Sequence, residues 1–99
     1  MVIFEFASFP PESAKECGKR FIELPPLPEY LTMLGPYIHS VQGGGIQAIT
    51  LYEVDQAKMA EALVFVYDRN VPFFDVAGYT FDVRAAAEVQ EALKMIGIA

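Results

Sequence analysis

The sequence predicts an α+β domain in which a four-stranded antiparallel sheet carries helices on one face. Three observations carry that prediction. Short runs rich in β-branched and aromatic residues alternate with runs of helical period. Proline and glycine clusters fall between these runs, Gly35-Pro36 excepted. The 99 residues suffice for one compact domain, residues 1–99, with no low-complexity tract or internal repeat to divide it.

Val2 to Ser8 reads Val-Ile-Phe-Glu-Phe-Ala-Ser, the composition of a strand. Pro10 and Pro11 end it and preset the backbone for a helix start. From Ser13 to Leu24 the period is helical: Ala14, Cys17, Phe21 and Leu24 share a stripe, and Glu12, Lys15, Glu16, Lys19, Arg20 and Glu23 mostly face water. Pro25, Pro26 and Pro28 stop the helix and form a stiff connector. Tyr30 to Val41 is apolar and extended but contains Gly35-Pro36, which places it at a sheet edge with a bulge. Gln42-Gly43-Gly44-Gly45 marks a hairpin turn into the strand Ile46–Val54.

Asp55 reads as the N-cap of a helix over Gln56–Arg69, with Met59, Leu63, Val66 and Tyr67 on its buried face. Asn70 and Pro72 end it. Val76 to Arg84 alternates, Tyr79, Phe81 and Val83 against Thr80, Asp82 and Arg84. A last helix, Ala86 to Ile96, aligns Val89, Leu93 and Ile96, and Gly97 closes it. The order βαββαβ plus a C-terminal helix is the ferredoxin-like arrangement, with strands 1 and 3 central and strand 2 at an edge.

Composition excludes several function classes. At 54% apolar, the chain has too much to bury for disorder. A single cysteine permits no internal disulfide framework, and no uncharged apolar run reaches the ~18 residues of a membrane span. Glu5 interrupts the apolar start and no basic residue precedes it, so a secretory signal is not expected and the predicted location is cytoplasmic. A net charge of −6 opposes binding to nucleic acid.

The helices cover one face only. Val2, Phe4, Phe6, Tyr79, Phe81 and Val83 are expected to point at them, leaving Ile3, Glu5, Ala7, Gly78, Thr80, Asp82 and Arg84 on the open face. Strand 3 is expected to add Ile46, Ala48, Thr50 and Tyr52 to that open face, with Ile49 and Leu51 in the core. On strand 2, Tyr37, His39 and Val41 share a face. A mixed surface of this kind is commonly closed by a partner, here a second copy of the chain.

Beyond topology, three local features bear on kinship: the hairpin Gly43-Gly44-Gly45, the junction Ile49-Thr50-Leu51-Tyr52-Glu53-Val54-Asp55, and the terminal Glu91-Ala92-Leu93-Lys94-Met95-Ile96-Gly97. With these the chain resembles the dimeric α+β barrel superfamily over nearly its full length, most closely its small uncharacterised prokaryotic members. The resemblance implies two ferredoxin-like subunits packed open sheet to open sheet. Members of that superfamily include cofactor-free monooxygenases, haem-degrading oxygenases, lactone isomerases and chlorite dismutase-like proteins, whose active-site patterns this chain does not display.

The candidate chemistry is sparse. His39, the only imidazole, is the candidate for proton transfer; the competing reading is a surface or interface histidine with a local hydrogen bond. Glu5 and Asp82 are its candidate electrostatic partners, and with Arg84 they form either a polar binding cluster or a plain cross-strand charge pair. Tyr37, Thr50, Tyr52, Thr80 and Arg84 are candidate ligand contacts. Cys17 reads as a buried hydrophobe. One His and one Cys make a metal site unexpected, and no cofactor is expected. The Gly43–Gly45 run precedes a strand, not a helix, so it reads as a hairpin and not as a phosphate cradle. The function these features predict is small-molecule binding between the two sheets of a homodimer. The alternatives are a structural or regulatory module, or a cofactor-free monooxygenase- or isomerase-like enzyme.

Overall fold

The computed structural model describes residues 1–98. Its elements are β1 (Val2–Phe9), α1 (Ala14–Ile22), β2 (Thr32–Ser40), β3 (Ile46–Glu53), α2 (Met59–Asn70), β4 (Thr80–Ala86) and α3 (Val89–Met95). All strand pairs are antiparallel, in the order β2-β3-β1-β4. The fold is therefore α+β and ferredoxin-like, with β1 and β3 central and a third helix at the C-terminus.

Local chemistry accounts for the element ends. The predicted bulge occurs in β2: Leu34 pairs with Leu51 and Tyr37 with Ile49, so Gly35-Pro36 adds one residue to the edge strand. Gly35 has φ +91°, and a Cβ there would lie 2.9 Å from the Ile49 carbonyl oxygen. Gly97 closes α3 as predicted. Its N–H bonds the Lys94 carbonyl at 3.1 Å and the Ile98 N–H bonds that of Leu93 at 3.0 Å, the paired bonds of a left-handed helix end.

Several boundaries differ from expectation; α3 starts at Val89 and not at Ala86, because β4 runs on through Ala86. Asp55 gives no side-chain cap; a 3₁₀ turn, Gln56–Lys58, precedes α2, and the Lys58 N–H bonds the Asp55 carbonyl at 2.9 Å. Asn70 is the last residue of α2, but Pro72 does not stop the chain from coiling on, because a 3₁₀ turn over Val71–Phe73 needs no Pro72 donor. The fourth strand begins at Thr80 and not at Val76, since Val76–Tyr79 forms a turn in which the Tyr79 N–H bonds the Val76 carbonyl.

The largest correction concerns which side of the sheet faces the helices. On β1 the covered side carries Ile3, Glu5, Ala7 and Phe9, aligned with Tyr52, Thr50, Ala48 and Ile46 of β3. Val2, Phe4 and Phe6 lie on the open side with Leu51, Ile49 and Gln47. Both central strands are thus inverted relative to the sequence prediction. In β4 the prediction holds, with Phe81 and Val83 beneath the helices and Thr80, Asp82 and Arg84 outside. Both faces of β1 are apolar, so side-chain size alone is a poor guide to its parity.

Two clusters of buried residues fill the covered side. Ile3, Leu31, Tyr52, Val54, Ala62 and Val66 pack together beneath α2, and Cys17, Phe73 and Val76 join under α1 with Phe9, Leu24 and Tyr79 around them. α1 is tied down at both ends. Ser13 Oγ donates to the Ala77 carbonyl at 2.6 Å; Arg20 donates to the Pro72 carbonyl at 2.6 Å and pairs with Glu16 and Asp75. Replacing Gly35 with Ala imposes a left-handed backbone and a backbone clash on the bulge. Urea denaturation is expected to show a loss of about 1–3 kcal/mol, and an unchanged midpoint would mean the bulge adapts freely.

Candidate functional site

Between the two clusters lies a cavity of about 410 Å³. Its origin is steric. Helices rest roughly 10 Å from a sheet, and bulky side chains normally fill the gap. Here α1 presents Ala14, Cys17 and Gly18, and the sheet below presents Ala7 and Ala48. Small residues opposite small residues leave open space. Phe9, Phe21, Leu24, Ile38, Ile46 and Phe73 complete an apolar wall, and exposed Phe21 and Ile38 mark the mouth between α1 and the β2 edge.

The floor is polar and organised around Glu5. The Tyr52 hydroxyl donates to Glu5 Oε1 at 3.0 Å, and Asn70 Nδ2 donates to Glu5 Oε2. Asn70 Nδ2 also donates to the Val66 carbonyl at 2.9 Å, and Asn70 Oδ1 accepts from the Tyr79 hydroxyl. Tyr52 and Asn70 are each only 1% exposed, so this network belongs to the packed interior as well as to the cavity. Arg69, also buried, lines the same space; its Nη1 donates to the Pro25 carbonyl at 3.3 Å and its guanidinium lies over the Phe65 ring. Burial, reinforced by the Glu5 charge, pushes the Tyr52 and Tyr79 hydroxyls well above their ordinary 10.0; Arg69 partly opposes this at Tyr52. Burial likewise raises the Cys17 thiol, which keeps it protonated and weakly nucleophilic.

The residues predicted to form one site divide between two faces. Glu5, Thr50 and Tyr52 come together, but in the cavity under α1. Tyr37, His39, Thr80, Asp82 and Arg84 are all on the open side. His39 on β2 and Asp82 on β4 stand three strand spacings apart, about 14 Å, and the sheet separates both from Glu5. The trio of His39, Glu5 and Asp82 is therefore not assembled. His39 is exposed, its Nε2 2.9 Å from Gln47 Oε1 and its Nδ1 3.2 Å from the Ser40 carbonyl oxygen. Arg84 pairs at 2.7 Å with Asp82, its neighbour but one, and lies over the Phe6 ring; it makes no pair with Glu5, which sits across from Val83.

Asn70 and Tyr79 were missed as site residues. In the sequence Asn70 looks like a helix stop and Tyr79 like core, and only the fold carries both side chains to Glu5. Among the described residues no group of three or more His, Cys, Asp or Glu is placed to hold a metal, and no helix is long and apolar enough to cross a membrane. Comparison of the chain with protein-family models, curated proteins and solved structures finds no match in any of the three.

Two outcomes follow for the network. Asn70→Ala removes a donor from Glu5 and the acceptor of Tyr79, so chemical denaturation should show a loss of about 1–3 kcal/mol. The tyrosines set an alkaline limit. Their folded pKa values exceed the unfolded value near 10, so their contribution is complete below about pH 10 and declines above it, as the unfolded chain releases protons that the folded chain retains. The denaturation midpoint should hold between about pH 8 and pH 10, fall between about pH 10 and pH 11, and fall less in a Tyr52→Phe, Tyr79→Phe double variant; equal declines would remove these hydroxyls from the linkage.

Proposed function

We propose that this chain is a small-molecule-binding protein whose ligand sits in the cavity between α1 and the sheet of a single subunit. The carrying observation is the joint presence of about 410 Å³ of apolar space and a floor carboxylate held by Tyr52 and Asn70. Binding pockets are typically apolar, run from ~300 to 1,000 Å³, and use a few placed polar groups to orient the ligand. A purely structural domain gains nothing from such a space, since each unfilled methylene-sized void costs stability. The ligand thus lies on the other side of the sheet from the inter-sheet position that strand patterning alone suggests.

We further propose that the open face closes a homodimer, as in the dimeric α+β barrel superfamily that the sequence resembles. Val2, Phe4, Phe6, Ile49 and Leu51 line that face, and Leu34 and Tyr37 add exposed apolar surface from β2. Four strands of about eight residues cover a footprint of roughly 500 Å². With side chains standing out from it, that is of the same order as the ~800 Å² per partner of a standard interface. Dimerisation leaves the cavity mouth, at the opposite face, free.

Two experiments test these readings separately. Nile red should bind the native chain with enhanced emission. Ala48→Phe, which fills the cavity from its floor, should abolish that signal while leaving the fold intact by circular dichroism. Undiminished binding would remove the cavity from the function. In sedimentation velocity the native chain should run as a dimer of 11.0 kDa subunits, and Phe4→Glu should run as a monomer. A native monomer would overturn the pairing of open faces.

A further inference from the structure

Resting on the cavity reading above, we infer that the ligand is an organic ammonium: a molecule with an apolar body and a protonated amine that meets Glu5. The inference comes from counting hydrogens on the cavity floor. Both amide hydrogens of Asn70 are committed, one to Glu5 Oε2 and one to the Val66 carbonyl. The Tyr79 hydroxyl hydrogen goes to Asn70 Oδ1, and that of Tyr52 to Glu5 Oε1. These three side chains therefore have no donor left for a ligand. Glu5 does have acceptors left, because a carboxylate offers about four acceptor positions and the protein fills two. At Glu5 the floor thus asks for a ligand that donates, with the Thr50 hydroxyl and the Arg69 guanidinium lining the same space.

Charge and shape narrow the class further. Among the described residues no Lys, Arg or amino-terminal nitrogen lies within 4.0 Å of the Glu5 carboxylate. Among the described residues Arg69 is the only cation lining the cavity; its guanidinium bonds the Pro25 carbonyl, lies over the Phe65 ring and reaches the Tyr52 hydroxyl, but forms no ion pair with Glu5 within 4.0 Å. A carboxylate bonded only by neutral donors in a largely apolar enclosure gains most from a partner that brings a positive charge. The rings of Phe9, Phe21, Phe73 and Tyr79 surround the space above it, and aromatic faces attract ammonium groups. A neutral alcohol satisfies the hydrogen-bond count but neither of these electrostatic preferences.

The test is calorimetric titration of the full native chain with three probes of similar shape: 2-phenylethylamine, 2-phenylethanol and 3-phenylpropionate. At neutral pH the amine should bind at least about tenfold more tightly than the alcohol, and the propionate should bind weakest. Glu5→Gln should erase the advantage of the amine while leaving alcohol binding in place. Alcohol binding with no preference for the amine overturns the ammonium inference and leaves the cavity reading standing. Tightest binding of the propionate would make Arg69 the anchor and also overturns it. Failure of all three probes, together with Nile red, overturns both. If Glu5→Gln does not fold, the ranking of probes on the native chain decides alone.

Discussion

A strand has two sides and no third option, and the strongest consequence of that constraint here falls on Glu5. Its carboxylate is held from two directions, by Tyr52 on the neighbouring strand and by Asn70 at the end of α2. Those bonds require Glu5 to face the helices, and the pleat then carries Ile3 and Ala7 inward and Phe4 and Phe6 outward. Because β1 pairs with both β3 and β4, its parity propagates to each. The small residues beneath α1 and the aromatic open face are therefore two results of one choice. A one-residue slip of β1 would exchange them and strand a carboxylate outside its hydrogen-bond partners.

Much of the fold was legible because its signals are local. The prolines around α1, the Gly35-Pro36 interruption, the glycine hairpin and the Gly97 terminus each depend on the backbone preferences of one or two residues, and they mark the chain where it turns. The order of elements then restricts the topology strongly. The segment Val76–Tyr79 has the composition of a strand, but Gly78 takes φ +76° and the segment coils into a turn that seats Val76 under α1.

The site was legible only in part. Glu5, Thr50 and Tyr52 stood out as polar groups in apolar strands, and they do share a cavity. Their side of the sheet was not readable, because β1 and β3 are apolar on both sides and alternation cannot choose between two greasy faces. Large aromatics were expected to seek the helices. On β1 the structure instead turns Phe4 and Phe6 outward and Ile3 and Ala7 toward the helices, and the core is completed by Tyr52, Val66 and Asn70 from further along the chain. Asn70 illustrates the limit well: an asparagine at a helix end has an adequate local explanation, and nothing in its neighbours reveals a carboxylate 65 residues away.

The bulge in β2 bears on the homodimer proposed above. An exposed border strand offers a row of unsatisfied amides and carbonyls that invites another chain to extend the sheet without end. Pro36 has no amide to offer, and the extra residue at Gly35-Pro36 breaks the even spacing of that row. Growth sideways into a ribbon of stacked molecules is thereby discouraged at this border. Contact through the broad surface, which stops after two copies, is the mode that the homodimer proposed above requires.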